Sequence, residues 1–177
     1  MAMDFRRVLD LLSEHLDAQG HRWLMVGGLA MQVHGLARTT QDLDIVTSAG
    51  ARGEIVKLLE SLGYETLHQS EGFSNHLHAE GSLGRVDVIY VDESTAERML
   101  AKGRIVPWLG RDLLVPMPEH LIAMKVHAIK NDPSRTFAEM ADIQYLLGLP
   151  GSDRENVRHY FEAAGLMDLF DELIRLS

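Results

Sequence analysis

The chain of 177 residues has no cysteine, which excludes disulfides and thiolate metal sites alike. It also lacks any apolar run long enough to span a bilayer, and no basic segment leading into a long apolar stretch opens it. We therefore expect a soluble, cytoplasmic protein with no membrane partner. Positive charge is scarce: 17 Lys and Arg face 26 Asp and Glu, for a net charge of −9. That balance argues against broad affinity for nucleic acid, although an RNA held by a local basic patch remains compatible with it. There is no internal repeat, low-complexity tract or long linker. What is present is ordinary for a globular protein, with 46% apolar residues. The length suits one domain, or an α/β domain with a small helical appendage, and can bury a sizeable core without staples.

The stretch from Leu24 to Val46 organises the rest. It reads as strand, tight glycine turn, short helix, loop and second strand. Two glycines, Gly27 and Gly28, stand where the first strand gives way to the helix, allowing backbone angles closed to other residues. They also let phosphate oxygens approach the first N–H groups of the helix. Further on come Asp42 and Asp44, two residues apart on a strand and so on one face, while Leu43 and Ile45 point to the core. Two carboxylates this close repel unless a cation lies between them. An all-oxygen pair suits a hard divalent ion such as Mg²⁺, which commonly brings substrate phosphates with it.

Gly27-Gly28 followed by Arg38-x-Thr40-x-Asp42-x-Asp44 resembles the nucleotidyltransferase signature of the DNA polymerase β-like superfamily. Within it, the likeness is to the branch containing the abortive-infection (AbiEii-type) toxin nucleotidyltransferases. The resemblance implies an α+β fold: a mixed β-sheet flanked by helices, then a C-terminal helical region. It also implies a nucleoside triphosphate (NTP) substrate and two Mg²⁺ ions held by Asp42, Asp44 and a third carboxylate, with Gly27, Gly28, Arg38 and Thr40 around the nucleotide.

Asp87 is the candidate third carboxylate. It stands in the apolar run Arg85–Ile89, where an acid is locally unfavourable and needs a reason. The plain alternative is a solvent-facing position; the Asp42 and Asp44 pair tips the balance towards function. Around it we expect a helix over 4–18, a strand over 21–26, a helix over 52–62 and a weak strand over 64–68. Residues 70–75 read as a polar loop, and 76–80 with 83–91 as a β-hairpin about Gly81-Ser82. His76 and His78 share a strand face, a spacing that can bind zinc, but no third ligand is evident nearby. His34, one turn into the helix after the glycines, is a packed or surface residue unless it edges the nucleotide pocket. Ser94 and Glu97 make a capping box for a helix over 94–102. A second hairpin over 104–115 turns at Gly110, and a sheet of four or five strands results.

Pro116-Met117-Pro118 marks a boundary, so we place an α/β core at 1–116 and a helical region at 117–177. Beyond it, Lys125 lies on an apolar stripe with Leu121, Ile122, Ala128 and Ile129, and Asp142 lies among Ala138, Tyr145 and Leu146. A buried ammonium is costly unless paired. Either Lys125 snorkels its charge to water, or Asp142 orients it towards the triphosphate, as the resemblance implies. Helices over 153–164 and 166–176 close the chain and carry no assigned chemistry.

These features favour an enzyme that moves a nucleoside monophosphate to a hydroxyl of RNA, protein or a small molecule, and the toxin-like resemblance implies a place in a toxin–antitoxin pair. A two-metal phosphohydrolase would use the same carboxylates but usually shows His-Asp clusters. A non-catalytic, antitoxin-like nucleotide-binding module would be expected to lose carboxylates first.

Overall fold

The computed structural model describes residues 3–175. It is a mixed α+β architecture with a five-stranded sheet and helices beside it, followed by helices alone. By its internal contacts the chain divides into two compact units, Met1–Pro116 and Met117–Ser177.

In the first unit, helix α1 (Phe5–Ala18) starts at Asp4, whose carboxylate accepts a hydrogen bond from the backbone N–H of Arg7. Its apolar residues recur at helical spacing, and Val8, Leu9, Leu12 and Leu16 are fully buried. Strand β1 (Trp23–Met25) leads into α2 (Gly27–Val33), and β2 (Asp42–Ser48) follows. After α3 (Arg52–Ser61) come β3 (Tyr64–Gln69), β4 (Phe73–His78) and β5 (Arg85–Val91).

The strand order is β1-β2-β5-β4-β3. Every neighbouring pair is antiparallel except β2 with β5, which run parallel at the centre. Leu43, Ile45, Val86 and Val88 are fully buried on one face of these two central strands. Residues at the alternate positions face the other way, and there the acidic residues lie.

Three expectations needed correction. The polar segment 70–75 is a loop only as far as Gly72, because β4 begins at Phe73. Its polar residues are satisfied inside the sheet: Ser74 bonds Tyr90, Asn75 bonds Asp87 and His76 bonds Ser74. Helix α4 (Glu93–Lys102) is capped by Asp92 rather than Ser94. The Asp92 carboxylate accepts the hydroxyls of Thr95 and Ser94 and the Thr95 N–H, which hold it well below the usual carboxylate range. Finally, the hairpin of β6 (Arg104–Trp108) and β7 (Arg111–Val115) forms a separate two-stranded sheet. At its turn Leu109 and Gly110 both have positive φ.

The second unit contains α5 (Pro118–Asn131), α6 (Thr136–Leu147), α7 (Arg154–Ala164) and α8 (Met167–Arg175). Pro118 occupies the first turn of α5, where its missing N–H has no intrahelical partner to lose. Gly165 closes α7 in the left-handed conformation. Leu121, Ile122, Val126, Ile143, Leu146, Val157 and Phe161 are buried here. Position 176 of the last expected helix lies outside the described residues.

Candidate active site

The sharp turn between β1 and α2 brings the backbone against the first carboxylates. Gly27 has φ +61, and a Cβ built on it would lie 1.9 Å from Oδ2 of Asp44. A Cβ on Gly28 would lie 2.7 Å from Cβ and from Oγ1 of Thr40. Both glycines are therefore required by close approach, and Gly27 by its conformation as well. The backbone N–H of Val26 donates to the Asp44 carbonyl at 2.9 Å, tying the turn to β2. Among the described residues, the N-cap of α2 makes no side-chain capping bond. Thr40 donates its hydroxyl to the Asp42 carbonyl at 3.3 Å. Arg38 is exposed, and Gln32 Nε2 donates to its carbonyl at 2.9 Å. Gln32, Gly35, Ala37, Arg38 and Thr39 line an open recess of about 590 Å³.

Strand register supplies the remainder. On the parallel strands β2 and β5, Asp42 stands opposite Arg85 and Asp44 opposite Asp87. On the antiparallel side of β5, Asn75 of β4 stands opposite Asp87. Cross-strand partners share a face, so three carboxylates, one guanidinium and one amide gather there. Asp87 Oδ1 accepts from Arg85 Nε at 2.8 Å and from Asn75 Nδ2 at 2.7 Å. The hydrogen bond to Asp87, and the charges of Asp87, Asp42 and Asp44, push the Arg85 guanidinium pKa up against the opposing effect of burial.

All the candidate ligands are carboxylate oxygens on one face, the donor type that hard divalent cations take, and the missing Cβ of Gly27 is what admits the Asp44 carboxylate beside the turn. The residues thus fit Mg²⁺. Among the described residues, no three or more His, Asp or Glu side chains already converge as a group on a metal position. Asp87 is turned to Arg85 and Asn75 instead.

The three histidines singled out by sequence make contacts within the fold. His34 Nε2 bonds the Pro116 carbonyl at 2.9 Å. His76 is fully buried on the opposite sheet face, between Ser74 Oγ at 2.8 Å and Thr66 Oγ1 at 3.2 Å. The His78 ring lies edge-on to Tyr64. Among the described residues, neither His76 nor His78 belongs to a three-ligand cluster.

In the second unit, Lys125 Nζ donates to Asp142 Oδ2 at 2.6 Å and to Glu139 Oε2 at 2.8 Å. Arg135 reaches the other oxygen of Glu139. Lys125 and Asp142 thus meet, and Lys125 is paired with them rather than snorkelled to water. Glu139 was missed. The signal was available: Glu139 and Asp142 are three apart on a helix and so share a face.

The chain resembles known proteins both in sequence and in fold. A model of the aminoglycoside-2''-adenylyltransferase family matches residues 7–105, more than half of it. A solution structure of the antibiotic-resistance factor ANT(2'')-Ia aligns with a TM-score of 0.67 at 15% identity, covering 96% of this chain and 97% of that one. The crystal structure of ANT(2'')-Ia with adenylyl-2''-tobramycin gives a TM-score of 0.63 at 16% identity, covering 90% and 97%. The lincomycin-bound lincosamide adenylyltransferase LnuA gives 0.59 at 14% identity, covering 84% and 99%. At these identities the structural likeness speaks for the fold. A comparison with curated proteins finds no match.

Proposed function

The chain belongs to the aminoglycoside-2''-adenylyltransferase family and is a nucleotidyltransferase, and from that premise we propose that it moves an adenylyl group from Mg·ATP to a hydroxyl of a small, cationic, aminoglycoside-like acceptor. The observation that carries this reading is the register pairing of Asp44 with Asp87, with Asp42 on the same face and Gly27 against Asp44. The net charge of −9 suits a cationic acceptor better than a polyanionic one. We therefore favour a small molecule over the RNA or protein acceptors, and over the cognate antitoxin, that the toxin-like resemblance left open.

Asp42, Asp44 and Asp87 would hold two Mg²⁺ ions, which supply charge neutralisation at the attacking and leaving oxygens. The chain's own groups do the rest. The N–H groups after Gly27-Gly28 receive the triphosphate, and Arg38 and Thr40 border it. The acceptor oxygen attacks the α-phosphorus in line while the bond from the α-phosphorus to its bridging oxygen breaks and pyrophosphate leaves. The hydroxyl proton passes to Asp87. Held within hydrogen-bond reach, a carboxylate can serve as such a base.

The test uses ATP labelled at the α-phosphate, Mg²⁺ and tobramycin with a panel of other hydroxylated amines. Label on an acceptor, equimolar pyrophosphate, and loss of both in Asp44→Asn are expected. Release of inorganic phosphate from a phosphomonoester with no labelled acceptor would instead establish the phosphohydrolase reading.

A further inference from the structure

Asn75 is 7% exposed in a central strand, with its amide aimed at a carboxylate. An amide in that place is doubly unfavourable: asparagine is depleted in strands, and burying it costs free energy unless it is bonded. Packing gives no reason for it, because an apolar residue would fill a strand position between β5 and β3 more cheaply. Its one side-chain hydrogen bond among the described residues runs across the sheet to Asp87 Oδ1 at 2.7 Å.

Arg85 Nε donates to the same oxygen. The two donors approach from different directions, Arg85 two residues earlier along β5 and Asn75 from the neighbouring strand, and together they fix the carboxylate plane. They differ in one respect. Arg85 carries the charge that offsets three carboxylates, whereas the amide is neutral and can hold Asp87 without competing with a divalent cation.

We propose that Asn75 is a positioning residue for Asp87, binding Oδ1 so that Oδ2 is presented to the metal ion and the acceptor hydroxyl. This deepens the nucleotidyltransferase reading and rests on it. Partners that orient metal-ligating groups typically change metal affinity by about 10–100-fold when removed, and the same range is expected here.

The experiment titrates Mn²⁺, followed by its paramagnetic resonance signal, into the full chain with a non-hydrolysable ATP analogue, so no acceptor need be known. Melting temperatures are taken on the same samples. Asn75→Leu keeps the side-chain size and removes the donor; Asn75→Ser withdraws the donor in a smaller, polar side chain and serves if the leucine variant does not fold. Asp87→Asn is the reference. Weaker Mn²⁺ binding in the Asn75 variants, at least several-fold and in the same direction as Asp87→Asn, is the expected result. Wild-type Mn²⁺ affinity in a folded Asn75 variant, with Asp87→Asn weakened, overturns the positioning role and leaves the metal site standing. Mn²⁺ binding indifferent to both positions overturns the metal-site reading and this proposal with it.

Discussion

Gly27 and Asp44 are in contact across the turn that opens α2: the space a methyl group would need on Gly27 is taken by the Asp44 carboxylate, 1.9 Å from Oδ2. Gly27→Ala is consequently penalised twice. An L-residue at φ +61 costs roughly 1–2 kcal/mol, and the methyl must displace a carboxylate anchored on β2. We expect lower thermal stability together with weaker Mg·ATP binding by calorimetry. Unchanged nucleotide affinity in the alanine variant would separate this turn from the nucleotide site.

The second prediction concerns Lys125. Its side chain is only 13% exposed and faces Glu139 and Asp142, themselves 7% and 12% exposed. Lys125→Met preserves the apolar stem but removes the ammonium that donates to both buried carboxylates. Breaking a buried ion pair costs roughly 3–5 kcal/mol, and chemical denaturation should register a loss of that order. Glu139→Gln together with Lys125→Met should recover part of it, since fewer charges remain uncompensated. The part in triphosphate binding that the resemblance implies for Lys125 stands as a proposal. It is measured by ATP affinity in the folded fraction of Lys125→Met.

A third prediction follows from the hydrogen-bond chain through the sheet. Thr66 donates its hydroxyl to Glu60 at 2.8 Å, so the His76 Nδ1–H donates to Thr66. In a neutral imidazole Nε2 is then the acceptor for the Ser74 hydroxyl, which accepts from Tyr90. Burial lowers the His76 pKa below 6.5, against the opposing pull of Glu60 and Asp87. The folded state then binds fewer protons than the unfolded one as pH drops through this region. The stability His76 contributes is full above 6.5 and is lost as pH falls towards its folded pKa. Nitrogen NMR should show the His76 imidazole titrating below 6.5, and His76→Gln should flatten the acid side of the stability curve. Titration at or above 6.5 would refute the burial argument.

Much of this protein could be read directly from short-range spacing. The glycine pair before a helix and the alternation Asp42, Leu43, Asp44, Ile45 are local patterns, and strand geometry alone puts the two carboxylates on one face. Asp87 was visible as an acid out of place in an apolar strand, and Lys125 as a cation out of place on an apolar stripe. The helices and most of the strands followed from the same periodicities, while the mixed-sheet fold was what the family resemblance implied. What local patterns do not carry is register. That Asp44 faces Asp87, that Asn75 and Arg85 converge on one oxygen, and that the segment from Phe73 pairs as a strand despite its polarity are decided by which strands lie side by side. Each polar residue in β4 is stable there only because a partner far away in sequence completes its hydrogen bonds, and those partners are assigned by the fold. The same reasoning covers the cap at Asp92 and the pairing of His34 with the Pro116 carbonyl: residue type permits several local arrangements, and tertiary contacts choose among them by supplying partners for polar groups.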